Sequence, residues 1–102
     1  MLDLSRIVGF DWDDGNSRKS SAKHEVGQRE AEQVFADPRL LVFIDERHSG
    51  SEMRFHAFGK SDTGRPLQVS FTLRERRDEP LIRVISARPM SRKERIRDEE
   101  ET

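Results

Sequence analysis

Three stretches alternate apolar and polar residues with the period of a strand. "MRFHAFGK" (Met53 to Lys60) sets Met53, Phe55 and Ala57 against Arg54, His56 and Phe58. "LQVSFTLR" (Leu67 to Arg74) sets Leu67, Val69, Phe71 and Leu73 against Gln68, Ser70, Thr72 and Arg74. After the loop Glu75 to Pro80, "LIRVISAR" reads as a third strand. Upstream, "LLVFID" (Leu40 to Asp45) is a continuous apolar run, which predicts a strand covered on both faces. Ile7, Val8, Phe10 and Trp12 predict a short first strand or extended arm. Two helices should lie between these strands. Asp13 offers an N-cap for Asp14 to His24, a stretch poor in apolar residues and therefore weakly anchored. From Gln28 to Ala36, Ala31, Val34 and Phe35 form one apolar stripe that Asp37-Pro38 ends.

Strand register follows from keeping like faces together. A turn at Asp62 to Arg65 puts Arg54 opposite Thr72 and His56 opposite Ser70. A turn within "RERRDE" puts Thr72 opposite Arg83 and Leu73 opposite Ile82. One face then carries Met53, Phe55, Ala57, Leu67, Val69, Phe71, Leu73, Ile82 and Val84, a core for helices to cover. The other carries Arg54, His56, Ser70, Thr72, Arg74 and Arg83, a polar and cationic face. Beyond the last strand, Ser91-Arg92-Lys93-Glu94 fits the S-x-x-E capping box, so a C-terminal helix starts at Arg92 and sets Arg95 at the rim of that face.

Composition sharpens this picture. The 102 residues allow one domain, read as 1–97 with a frayed acidic tail at 98–102. Charged residues make up 38% and apolar ones 32%, so part of the chain packs weakly or needs a partner. Without cysteine, neither a disulfide framework nor a thiolate zinc site is possible. The histidines His24, His48 and His56 lack helical ligand spacing, so no metal site and no cofactor is expected. No apolar run reaches the roughly 18 residues of a membrane span and no leader opens the chain, which fits a cytoplasmic protein. The net charge of −1 conceals a partition, −4 over residues 1–53, +7 over 54–97 and −4 over 98–102. The basic segment can meet a polyanion locally, or it can pair with the acidic first half.

The cations concentrate where the last strand turns into the helix, at Arg83, Arg88, Arg92, Lys93 and Arg95. A guanidinium fork suits phosphate oxygens and the added charge of a phosphorane. Glu94 can act as a general base or simply close the capping box. His56 is a candidate acid or base, or an unremarkable strand histidine. Lys23 and His24 place cations at the end of the first helix. Phe58 can stack on a base or lie under the C-terminal helix.

"FDWDD", "KHEV", "EAEQVFADP", "MRFHAFGKS", "TLR" and "RVISARPMSRKER" stand in the order and at the spacings of the BrnT family of bacterial type II toxins, which the chain resembles from about Phe10 to Arg97. The resemblance implies an α+β, RelE-like fold, two N-terminal helices packed on a mostly antiparallel sheet, with a C-terminal helix. It implies a metal-independent ribonuclease in which a 2′-hydroxyl attacks the adjacent phosphate, neutralised by a BrnA-type antitoxin. Carried over by position, Arg54, Arg88, Glu94 and Arg95 are the catalytic candidates, while the reading of the polar face and the helix ends makes His56, Arg74, Arg83, Arg92, Lys93, Lys23 and His24 the RNA- and phosphate-binding candidates. DNA enters only through the antitoxin, and no membrane is involved. The chain departs from the family pattern with Glu25 in place of glycine, Ser21 in place of leucine, and no tyrosine after Arg95. The second reading is therefore a binding module of the same fold that acts with its DNA-binding antitoxin in transcriptional autorepression.

Overall fold

A computed structural model describes residues 4–12, 26–47, 50 and 52–101. The alternating stretches form one sheet in the order β1-β5-β4-β3-β2, with β1 Gly9–Phe10, β2 Leu41–Asp45, β3 Arg54–Lys60, β4 Pro66–Arg76 and β5 Glu79–Pro89. Neighbours are antiparallel except β1, which pairs parallel with β5. A 3₁₀ turn, Leu4–Arg6, precedes β1; α1, Gln28–Val34, and α2, Arg92–Glu101, complete the described elements. The expected registers His56–Ser70, Thr72–Arg83 and Leu73–Ile82 all hold.

The core lies on the face predicted for it. Phe55, Ala57, Leu67, Val69, Phe71, Ile82 and Val84 are buried with Val26, Ala31 and Val34. Rings run through it in series, Phe10 to Phe35 at 5.6 Å, Phe35 to Phe71 at 5.2 Å and Phe71 to Phe55 at 5.3 Å, linking β1, α1, β4 and β3. Helix α1 ends as its sequence requires, with Phe35, Ala36 and Asp37 each donating a backbone N–H three residues back before Pro38. Its end is pinned to the sheet. Asp37 accepts from the backbone N–H of Lys60 at 2.7 Å, and Gln33 accepts from that of Asp62 at 3.0 Å. Gly59 permits the approach, since a Cβ there would stand 3.1 Å from both Val34 Cγ1 and the Val34 carbonyl oxygen.

Three expectations need correction. Strand β2 is not covered on both faces; it is the outer strand, Ile44 is 50% exposed, and a short apolar run has the same composition in either place. Met53 is 55% exposed and precedes β3 instead of joining the core. The two N-terminal helices of a RelE-like arrangement are not what the described residues present, which is one early helix and one C-terminal helix. The expected helix Asp14 to His24 lies outside the described residues.

Beyond the residues whose faces were expected, alternation along β5 is interrupted. Ser70 pairs with Ser86 while the next residue, Phe71, pairs with Val84, so Ile85 is an inserted bulge residue. Past the bulge Ala87 faces the core, fully buried, and Arg88 faces the polar side. The β4–β5 turn is tight, with Arg77 and Asp78 both left-handed at φ 53° and 65° between the paired Arg76 and Glu79.

Candidate functional site

Opposed residues on neighbouring strands share a face, so the ladders define rows across the polar side. One row runs Phe43, His56, Ser70, Ser86; the next runs Leu41, Phe58, Gln68, Arg88. At the far end Asp45 stands opposite Arg54, and Thr72 opposite Arg83. Arg88 joins this face only because of the bulge at Ile85.

Arg88 and Glu94 form a two-pronged contact at one end of the face. Both terminal nitrogens of the Arg88 fork donate to the two carboxylate oxygens of Glu94, each at 2.8 Å. Glu94 also closes the expected capping box, accepting from the Ser91 backbone N–H at 2.8 Å while its own N–H donates to Ser91 Oγ at 3.2 Å. The Arg88 hydrogen bond, outweighing the opposing effect of burial, holds the Glu94 carboxyl below the usual carboxylate range. This ionised pair fixes the strand-to-helix corner.

His56 is neither exposed nor idle. Its Nε2 lies 2.8 Å from Asp45 Oδ2, and its Nδ1 lies 2.8 Å from both Ser70 Oγ and Gln68 Nε2. A carboxylate fixes Nε2–H, leaving Nδ1 to accept from Gln68 or Ser70. Ser70 and Gln68 are each 7% exposed, so the network satisfies polar groups under the face and ties β2, β3 and β4 together. Sequence reasoning missed Asp45 and Gln68. Asp45 closes an apolar run and reaches His56 through a β2–β3 pairing that no turn signal announces.

The remaining cations divide. Arg54, Arg74 and Arg83 line an open recess with Glu52, Thr72 and Ile85. Arg83 pairs with Asp11 at 3.4 Å and Arg74 with Glu52 at 3.0 Å, both partners in the acidic first half. The Arg83 row lies four positions along β4 from the Arg88 row, about 13 Å of strand, so Arg54, at the Arg83 end, is not gathered with the Arg88–Glu94 pair. Arg92, Lys93 and Arg95 are exposed on α2. Arg97, on the same helix, stacks over the Phe43 ring at 5.1 Å, and Phe43 meets Phe58 edge-on at 5.9 Å. The aromatic under α2 is thus Phe43, with Phe58 beside it. Lys23 and His24 lie outside the described residues.

Among the described residues no three histidine or acidic side chains converge as a metal site would need, and no helix is long and apolar enough to cross a membrane. No curated protein matches the chain at a significant level. A family model does, over residues 12–94, and its description is a ribonuclease toxin, BrnT, of type II toxin-antitoxin systems. The match takes in both the Arg88–Glu94 corner and the strands that carry the polar face. With more than half of its length matched, the chain belongs to the BrnT family of ribonuclease toxins, whose counterpart in each type II system is an antitoxin.

Proposed function

We propose that the polar face binds single-stranded RNA and cleaves it without a metal, at the corner formed by Arg88, Glu94 and Arg95. The observation that carries this reading is the two-pronged Arg88–Glu94 contact, because an arginine fork that holds a carboxylate so squarely also fits a phosphate. When a phosphate takes the fork, Glu94 loses the hydrogen bond that keeps its basicity low, yet Ser91 still anchors it beside the reacting centre. Glu94 then accepts the 2′-hydroxyl proton as the O2′–P bond forms. Arg88 stabilises the phosphorane, and the P–O5′ bond breaks with the 5′-oxygen taking a proton from water near Arg95. Arg54, Arg74 and Arg83, further along β4, hold neighbouring phosphates, and Arg92 and Lys93 add to the field. His56 contributes by positioning the strands, since both of its ring nitrogens already have protein partners. A BrnA-type antitoxin covers this face and brings DNA only through its own binding part.

The second reading, a binding module active only in autorepression, is favoured by the low basicity of Glu94 and its full engagement as a cap. Incubating the purified chain with total RNA in excess chelator separates the two. Fragments ending in 2′,3′-cyclic or 3′-phosphate support the nuclease. Fragments with 5′-phosphate ends, or a strict magnesium requirement, overturn this mechanism. Intact RNA alongside operator binding by the antitoxin complex selects the binding module.

A further inference from the structure

The two phenylalanines on the polar face remain without a role. Phe43 and Phe58 are half-buried; with Leu41, which stands opposite Phe58, they form a small apolar patch whose other cross-strand neighbours are His56 and Gln68. The patch is not core, since the buried core lies on the opposite side of the sheet. We propose that Phe43, backed by Phe58, is a nucleobase-stacking subsite for single-stranded RNA, and that Arg97 covers it in the resting chain.

The cover has the shape of what it replaces. A guanidinium is a flat conjugated group, and its central carbon lies over the Phe43 ring, 5.1 Å from the ring centre, on the side that a stacked base would occupy. Glu94 and Arg97 are three residues apart on α2, hence on one side of the helix. From that side Glu94 fills the Arg88 fork while Arg97 lies on Phe43. An anion on an arginine and a planar group on a ring are the two contacts that an RNA strand crossing from β5 to β2 would make through phosphate and base. The helix brings little apolar anchorage to this position: Ile96, the one apolar residue of α2, is 49% exposed.

This inference deepens the ribonuclease reading and rests on it for the identity of the ligand. Its test uses the full chain and a 2′-O-methyl oligonucleotide, which cannot be cleaved, carrying one 2-aminopurine. Arg97→Ala should tighten binding about three-fold and increase the 2-aminopurine quench, although the variant has lost a cation. Phe43→Leu should weaken binding at least about five-fold and erase the gain from Arg97→Ala. Weaker binding by Arg97→Ala, with no added quench, would make Arg97 an ordinary phosphate contact and overturn the proposal. That outcome does not depend on whether Phe43→Leu folds. Changes confined to antitoxin affinity would make the aromatic pair a protein-binding site and also overturn it. Cleavage of ordinary RNA is scored separately: cleavage with indifferent Arg97 and Phe43 variants sinks the subsite alone, while the predicted binding changes without cleavage sink the nuclease alone.

Discussion

Gln68 and Arg88 face each other across β4 and β5, on the side that holds His56, because Ile85 has no partner in the ladder. With unbroken alternation, a strand that buries Ile82 and Val84 would bury Ser86 and Arg88 too. One inserted residue thus decides whether the arginine meets solvent or Leu67 and Val69.

Deleting Ile85 should therefore be far more damaging than truncating it. The deletion forces either Arg88 into the core or Ile82 and Val84 out of it, a loss above about 4 kcal/mol, enough to unfold a small domain. Ile85→Ala keeps the backbone count and should cost less than about 1.5 kcal/mol. Soluble yield and thermal melts compare the two, and a deletion variant melting like the parent would refute the bulge.

Glu94→Gln retains an acceptor for the Ser91 N–H and loses the charge. Because folding lowers the Glu94 carboxyl below its ordinary value of 4.5, its ionised form stabilises the folded state above that pH, and the contribution disappears as pH falls through the lowered value. The variant should trail the parent by less than about 1 kcal/mol at neutral pH, given the partial exposure of the pair, and match it in acid. Denaturant titrations across pH would show the convergence. Cleavage should be lost throughout, and a soluble, fully toxic variant would leave Glu94 as a cap alone.

Asp45→Ala removes the acceptor that fixes His56 Nε2. With one ring nitrogen stranded in a half-buried site, the variant should lose about 1–3 kcal/mol. The same substitution in a His56→Leu background should lose clearly less, giving a coupling above about 0.5 kcal/mol. Additive effects would mean that the two side chains act independently.

Asp78→Gly should stabilise the chain. Asp78 sits at φ 65° in a two-residue turn, a conformation that glycine adopts without a Cβ penalty. A gain of about 0.5–1 kcal/mol, or a few degrees in melting temperature, is expected. A fall in melting temperature would indicate that the Asp78 side chain holds the turn.

The sequence made β3, β4 and the start of β5 legible because their alternation is strict and two turns sit symmetrically between them. The stripe of Ala31, Val34 and Phe35 and the Ser91–Glu94 box were legible for the same reason, since periodicity and capping are local properties. Ile85 was not, because an inserted isoleucine differs in no local property from a paired one; only the pairing of Ser70 with Ser86 and Phe71 with Val84 reveals it. Nor was the Asp45–His56 contact, which depends on a register set across a polar loop. For the cationic face the charge partition left two readings open, and Arg83 and Arg74 take the one in which they pair with the acidic first half, while Arg83 and Arg88 lie toward different ends of the strand.

The parallel pairing of β1 with β5 also bears on the order in which a ribosome delivers the parts. Gly9 and Phe10 are made 72 residues before their ladder partners Leu81 and Ile82, and Asp11 waits equally long for Arg83. At roughly 5–20 residues per second, that gap amounts to several seconds of synthesis. Throughout it β5 and the Arg88–Glu94 corner do not yet exist, so a nascent chain can bury part of its core but cannot assemble its arginine face. On the ribonuclease reading proposed above, a partner synthesised alongside the chain has those seconds in which to be present before the face forms.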